Sequence, residues 1–108
     1  MLQKTEFIWF DGKLVPWDQA QVHVLAHGLH YGTGVFEGIR AYACPDGSSA
    51  VFRLPEHSKR LVNSAKILGI DMPYTADEIS KAIVETVVAN KLSEGYIRPL
   101  AFAGEGDM

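Results

Sequence analysis

A chain of 108 residues has the size of one compact domain, and 47 % hydrophobic with 10 % aromatic residues supplies a core and argues against a solvated tail. Its net charge of −3 gives no electrostatic reason for binding nucleic acid, which needs basic patches against phosphate. No apolar run approaches the roughly 20 residues of a membrane helix, the opening residues lack the order of a signal peptide, and the single Cys44 cannot form an internal disulfide, so a soluble, cytoplasmic protein without membrane partners is expected.

Asp11-Gly12 between the apolar runs Phe7–Phe10 and Lys13–Trp17 predicts a β-hairpin. The stretch 26–34 carries Gly28, Gly32 and Gly34 among His and Tyr residues, a composition that favours a loop presenting side chains. Val35–Tyr42 and Ser49–Leu54, joined by Pro45-Asp46-Gly47, read as a second hairpin. From Pro55 the period becomes helical, with Leu61, Ala65 and Leu68 on one stripe and Gly69 as the stop. Thr75 and Glu78 match a capping box that opens a second helix running to about Lys91, its buried stripe formed by Ile79, Ile83 and Val87 with Val84 and Val88. Tyr96–Ala103 is long enough for a last strand, although Pro99 favours an edge. The order β-β-β-β-α-α-β predicts an α+β domain: about five strands in a largely antiparallel sheet, two helices on one face. The polar end from Gly104 to Met108, directly after a strand, reads as a domain boundary or a cut.

Several groups could carry chemistry. His23, His27 and His30 have helical spacing, but the glycines oppose a helix and no further ligand completes a set, so structural histidines are favoured over a metal site; His57 reads the same way. Gly32-Thr33-Gly34 with Gly38 lacks the Lys-Ser/Thr of a phosphate loop, yet permits close approach of a ligand or a second subunit. Tyr31 and Phe36 beside them are core aromatics by default and pocket walls otherwise. Arg60 lies in the first turns of the Pro55 helix, where amides and dipole favour an anion, although most such arginines are solvated charges. Arg98 interrupts an apolar run and shares a strand face with Tyr96; buried, it needs a carboxylate, internal or bound, and the residues alone leave those two open.

Three ordered motifs resemble the bacterial branched-chain-amino-acid aminotransferases: Leu29–Tyr42 (LHYGTGVFEGIRAY), Phe52–Leu61 (FRLPEHSKRL) with Ser64-Ala65-Lys66, and Tyr96–Leu100 (YIRPL). The leading Ile8–Gly12 (IWFDG) fits as well. The resemblance implies a fold-type IV pyridoxal-phosphate enzyme that moves an amino group between leucine, isoleucine or valine and 2-oxoglutarate, working as a homo-oligomer. It implies that Arg60 binds the cofactor phosphate, that Tyr31 and Phe36 line the side-chain pocket with Tyr31 lent to a neighbouring subunit, and that Gly38 lines the substrate space. By the same resemblance Tyr96 meets the substrate α-carboxylate and Arg98 the distal carboxylate of glutamate, which favours the bound anion. The family's Schiff-base lysine has no match among Lys4, Lys13, Lys59, Lys66, Lys81 and Lys91. Residues 1–108 are therefore expected to form the amino-terminal domain, inactive alone, with the lysine in an absent carboxy-terminal domain. Two alternatives stand beside this reading: half of a D-amino-acid transaminase or aminodeoxychorismate lyase, and a stand-alone binding or assembly module.

Overall fold

Residues 4–104 are described by a computed structural model. Strands β1 (Phe7–Phe10) and β2 (Lys13–Pro16) form the expected hairpin, with Asp11 and Gly12 both at positive φ (50° and 98°), as its two-residue turn demands. A short 3-10 turn, Trp17–Gln19, follows. Within the glycine-rich stretch, where a loop is expected, His27–Tyr31 closes into a single helical turn, α1, ended by Gly32 in the left-handed region. One turn cannot stabilise itself. It is held by backbone N–H groups of His27 and Gly28 donating to the carbonyls of Gly104 and Ala103, contacts too remote in sequence for local composition to show.

The described strands form three antiparallel sheets rather than one: β1 with β2; β3 (Gly34–Phe36) with β7 (Leu100–Phe102); and β5 (Ser49–Val51), β4 (Ile39–Ala43) and β6 (Gly95–Ile97) side by side. The expected strand Val35–Tyr42 thus divides at Glu37-Gly38, and Tyr96–Ala103 divides at Arg98-Pro99. The two interruptions face each other: Gly34 pairs with Phe102 and Ile39 with Ile97, so both ladders keep one register along a single two-stranded ribbon. Pro99 has no N–H to donate, but its carbonyl still accepts the Glu37 N–H at 3.0 Å. The class is α+β, as expected; the observed order is β1-β2-α1-β3-β4-β5-α2-α3-β6-β7.

Helix α2 (Leu54–Leu68) begins after Arg53, whose φ of 52° turns the chain out of β5, and stops at Gly69. Helix α3 (Ala76–Ala89) opens on the expected capping box, with Glu78 N–H donating to Thr75 Oγ1 and Thr75 N–H to Glu78 Oε1. Ile39, Leu61, Ile79 and Ile83 form the centre of the core, with Val35, Val51, Leu54 and Ile97 packed around it. Two expectations for the buried stripes fail. Val84 and Val88 are exposed because they lie about 100° around the axis from Ile83 and Val87, beyond the reach of α2. Leu68 is exposed in the final turn of its helix. Asn90, just past α3, clasps the first strand by accepting from Phe7 N–H and donating to Phe7 carbonyl. No helix among the described residues is long and apolar enough to cross a membrane.

Candidate functional site

The ribbon from Val35 to Tyr42 is extended, so its side chains alternate between two faces. Glu37, Ile39 and Ala41 are buried against the helices, and Phe36, Gly38, Arg40 and Tyr42 are exposed on the other side. Each face carries a cluster.

On the inner face Glu37 is a carboxylate set between core residues, only 5 % exposed. Its partners come from α2, where His57 and Arg60 stand three residues apart and therefore on one side of the helix. Arg60 donates from Nε to Oε2 at 2.7 Å and from Nη2 to Oε1 at 2.8 Å, and His57 Nδ1 meets Oε1 at 2.8 Å. The hydrogen bonds from Arg60, above all, hold the Glu37 carboxyl below its ordinary range against the opposing effect of burial, and His57 assists. Reciprocally, Glu37 raises Arg60. Arg60 is nevertheless 67 % exposed, so the guanidinium edge that does not face Glu37 meets solvent. Arg60 is the seventh residue of α2, about 9 Å along the axis from its start. The dipole argument for an anion there weakens accordingly, since that effect fades within the first turn. The expected contrast between an anion contact and a solvated charge also changes: the residue is both tethered and open.

On the outer face the Arg98 guanidinium lies 4.6 Å from the centre of the Phe36 ring and 5.5 Å from that of Tyr96. Its Nη2 donates to the Tyr96 hydroxyl at 3.1 Å. No carboxylate among the described residues pairs with it, and it is exposed rather than buried. Gly38 lies against the same tyrosine so closely that a Cβ built there would run into the hydroxyl. Phe36 and Tyr31 are both more than half exposed, which corrects the default of core aromatics for the two, and Tyr96 is more than half exposed as well. Tyr31 stands on α1, its ring packed 4.6 Å from that of His27 and its exposure 70 %. The structure thus gathers Phe36, Gly38, Tyr96 and Arg98, and joins them to Arg60 through the intervening Glu37; Tyr31 is anchored separately, beside the end of β7. Two shallow apolar grooves run along α3 past Leu54, Val84 and Val88 and share no residue with either cluster.

Glu37 and His57 are the site residues that motif reasoning passed over. A signal was present: in Val35-Phe36-Glu37-Gly38-Ile39 a carboxylate occupies an inward position of an alternating strand, which requires a cationic partner. Among the described residues no group of three or more His, Cys, Asp or Glu side chains is arranged to hold a metal.

Comparison with known proteins agrees with these motifs. The profile described as amino-transferase class IV matches residues 34–108. A branched-chain-amino-acid aminotransferase of Pseudomonas aeruginosa is 49 % identical over 108 residues, covering 100 % of this chain and 35 % of the relative. The crystal structure of the Escherichia coli branched-chain amino acid aminotransferase superposes with a TM-score of 0.92 at 45 % identity, over 97 % of this chain and 34 % of that one. A second solved branched-chain amino acid aminotransferase, complexed with N-(5'-phosphopyridoxyl)-L-glutamate, gives 0.91 at 48 % identity, over 95 % and 34 %. The chain spans about a third of the length of these relatives. With a profile match over most of its length and near-complete superposition on solved relatives, the chain belongs to the amino-transferase class IV family.

Proposed function

We propose that these residues form part of the site of a pyridoxal-phosphate transaminase acting on branched-chain L-amino acids and 2-oxoglutarate. The similar proteins are named branched-chain aminotransferases, which favours this substrate class over the D-amino-acid transaminase, lyase and assembly-module readings. The solved relative with a phosphopyridoxyl-glutamate adduct supports the cofactor. The residues fit such a group: after Glu37 takes two N–H donors of Arg60, the exposed remainder can fork onto a phosphate. Pyridoxal phosphate supplies the electron sink for amino transfer, and no lysine of these 108 residues carries the family's attachment motif. In this reading residues 1–108 form the amino-terminal domain, a carboxy-terminal domain supplies the lysine, and the protein is a cytoplasmic homo-oligomer to which Tyr31 contributes across subunits.

The observation that carries the proposal is the Arg98 guanidinium resting on Phe36 and Tyr96 with, among the described residues, only a neutral hydroxyl as hydrogen-bond partner. Aromatic faces accept either an aliphatic chain or a cation. A pocket walled by Phe36 and Gly38, with a Tyr31 contributed by a neighbouring subunit, therefore takes leucine while Arg98 stays on the rings, and takes glutamate when Arg98 pairs with the distal carboxylate. Tyr96 orients the α-carboxylate. In the intact enzyme, replacing Arg98 by Met should raise KM for glutamate at least roughly tenfold, the scale of one charge-assisted hydrogen bond, and change KM for leucine little; equal losses for both substrates refute the assignment.

A further inference from the structure

We propose that Glu37 is a positioning residue for anion recognition: braced by His57, its carboxylate fixes the Nε edge of Arg60 and turns the remaining N–H groups toward a phosphate monoester. The inference rests on the reading of Arg60 as a phosphate contact given above, and it adds the group that aims it.

The geometry gives Glu37 no independent reason to be charged. It lies on the inner face between Val35 and Ile39, where an apolar residue would extend the core without removing a carboxylate from water. Arg60 does not need it for solvation either, since most of that side chain meets solvent. An ion pair with one partner so exposed adds little to stability. What the pair does supply is orientation. A free arginine samples many rotamers, whereas the two short bonds from Nε and Nη2 fix both the position and the plane of the guanidinium. Two of five donors are consumed, and of the three left one on Nη1 and one on Nη2 lie side by side on the next edge, spaced for two oxygens of one anion. His57 completes the brace: Nδ1–H donates to Oε1, the same oxygen that receives Nη2, so the carboxylate is itself held from α2 at two points. Ser58, fully buried between these residues in sequence, exchanges a 2.7 Å hydrogen bond with Ser80 of α3 and fixes the helix turn from which both partners project.

The test compares equilibrium binding of pyridoxal 5'-phosphate and pyridoxal, followed by absorbance, in the intact enzyme that carries these residues and in its Glu37→Gln, Arg60→Ala and double variants. The ratio of the two affinities isolates the phosphate. Glu37→Gln should lower it roughly tenfold or more, the scale of a lost charge-assisted contact, with pyridoxal binding within about threefold of the starting protein, and should lower it no further once Arg60 is Ala. Loss of both affinities in parallel, or a further loss in the double variant, makes the Glu37 role structural and overturns the inference. If Arg60→Ala leaves the ratio unchanged, the phosphate reading of Arg60 itself fails; if Arg60→Ala lowers it and Glu37→Gln does not, only the positioning role fails. A measurement on the unsubstituted protein covers a variant that does not fold: the Arg60 Nε–H resonance should exchange with water far more slowly than that of the exposed Arg40, whose side chain has no hydrogen bond among the described residues, and equal rates would sink the proposal.

Discussion

Gly38 has no side chain because the Tyr96 hydroxyl occupies the place where one would start. A methyl group there must move the phenol or the ribbon, and the phenol is the freer of the two because it is half exposed. In the intact enzyme Gly38→Ala should therefore raise KM for amino-acid substrates on the order of tenfold, as misplacement of a positioning group does, while the affinity for pyridoxal phosphate stays unchanged. Steady-state kinetics beside cofactor titration checks this, and a matching loss of cofactor affinity contradicts it. Glu37 sets a pH dependence of definite sign. Its folded carboxyl titrates below 4.5 and the unfolded one returns to about that value, so between the two the unfolded chain binds more protons and stability rises with pH. The contribution is complete above the ordinary carboxylate range and disappears as pH falls through the depressed folded value. Thermal melts of Glu37→Gln from about pH 6 to 3 should show a shallower acid decline than the parent, with the difference reduced by salt because Arg60 is exposed; superimposable slopes would exclude this.

Each helix carries its own punctuation, and that is why both long helices were legible in the sequence. Thr75 and Glu78 announce α3, Pro55 and Gly69 bracket α2, and Asp11-Gly12 forces the first hairpin, all within a few residues of the structure they produce. Thr75→Ala removes the acceptor for Glu78 N–H and should destabilise the protein by about 1 kcal/mol, measurable as a lower denaturant midpoint with an unchanged slope. The divisions at Glu37-Gly38 and Arg98-Pro99 were not legible, because each becomes visible only against the other, some 60 positions away. The turn α1 escaped for the same reason, its backbone partners being Ala103 and Gly104. Val84 and Val88 show the opposite error: a helical pattern names apolar positions but not how wide a stripe the neighbouring helix covers.

For the molecule as a whole, the motifs singled out Phe36, Gly38, Arg60, Tyr96 and Arg98 as candidates, and the fold shows how few elements carry them. They could not supply Glu37, whose burial is a property of the packed ribbon and α2 together. On the proposed reading the chain supplies a phosphate contact and one wall of a substrate pocket but no cofactor lysine, so the 108-residue polypeptide by itself should show no turnover with leucine and 2-oxoglutarate and no borohydride-trapped cofactor at any single lysine. Mass spectrometry after reduction, with an activity assay, checks this; stoichiometric trapping with turnover would reverse it. The two-faced ribbon also explains why this segment has little freedom to change length. One residue inserted directly after Val35 would slip every later side chain to the opposite face. The acid would then point to water, a neighbour without a side chain would face α2, and both arginines would lose their footing at one stroke, although no functional residue had been replaced.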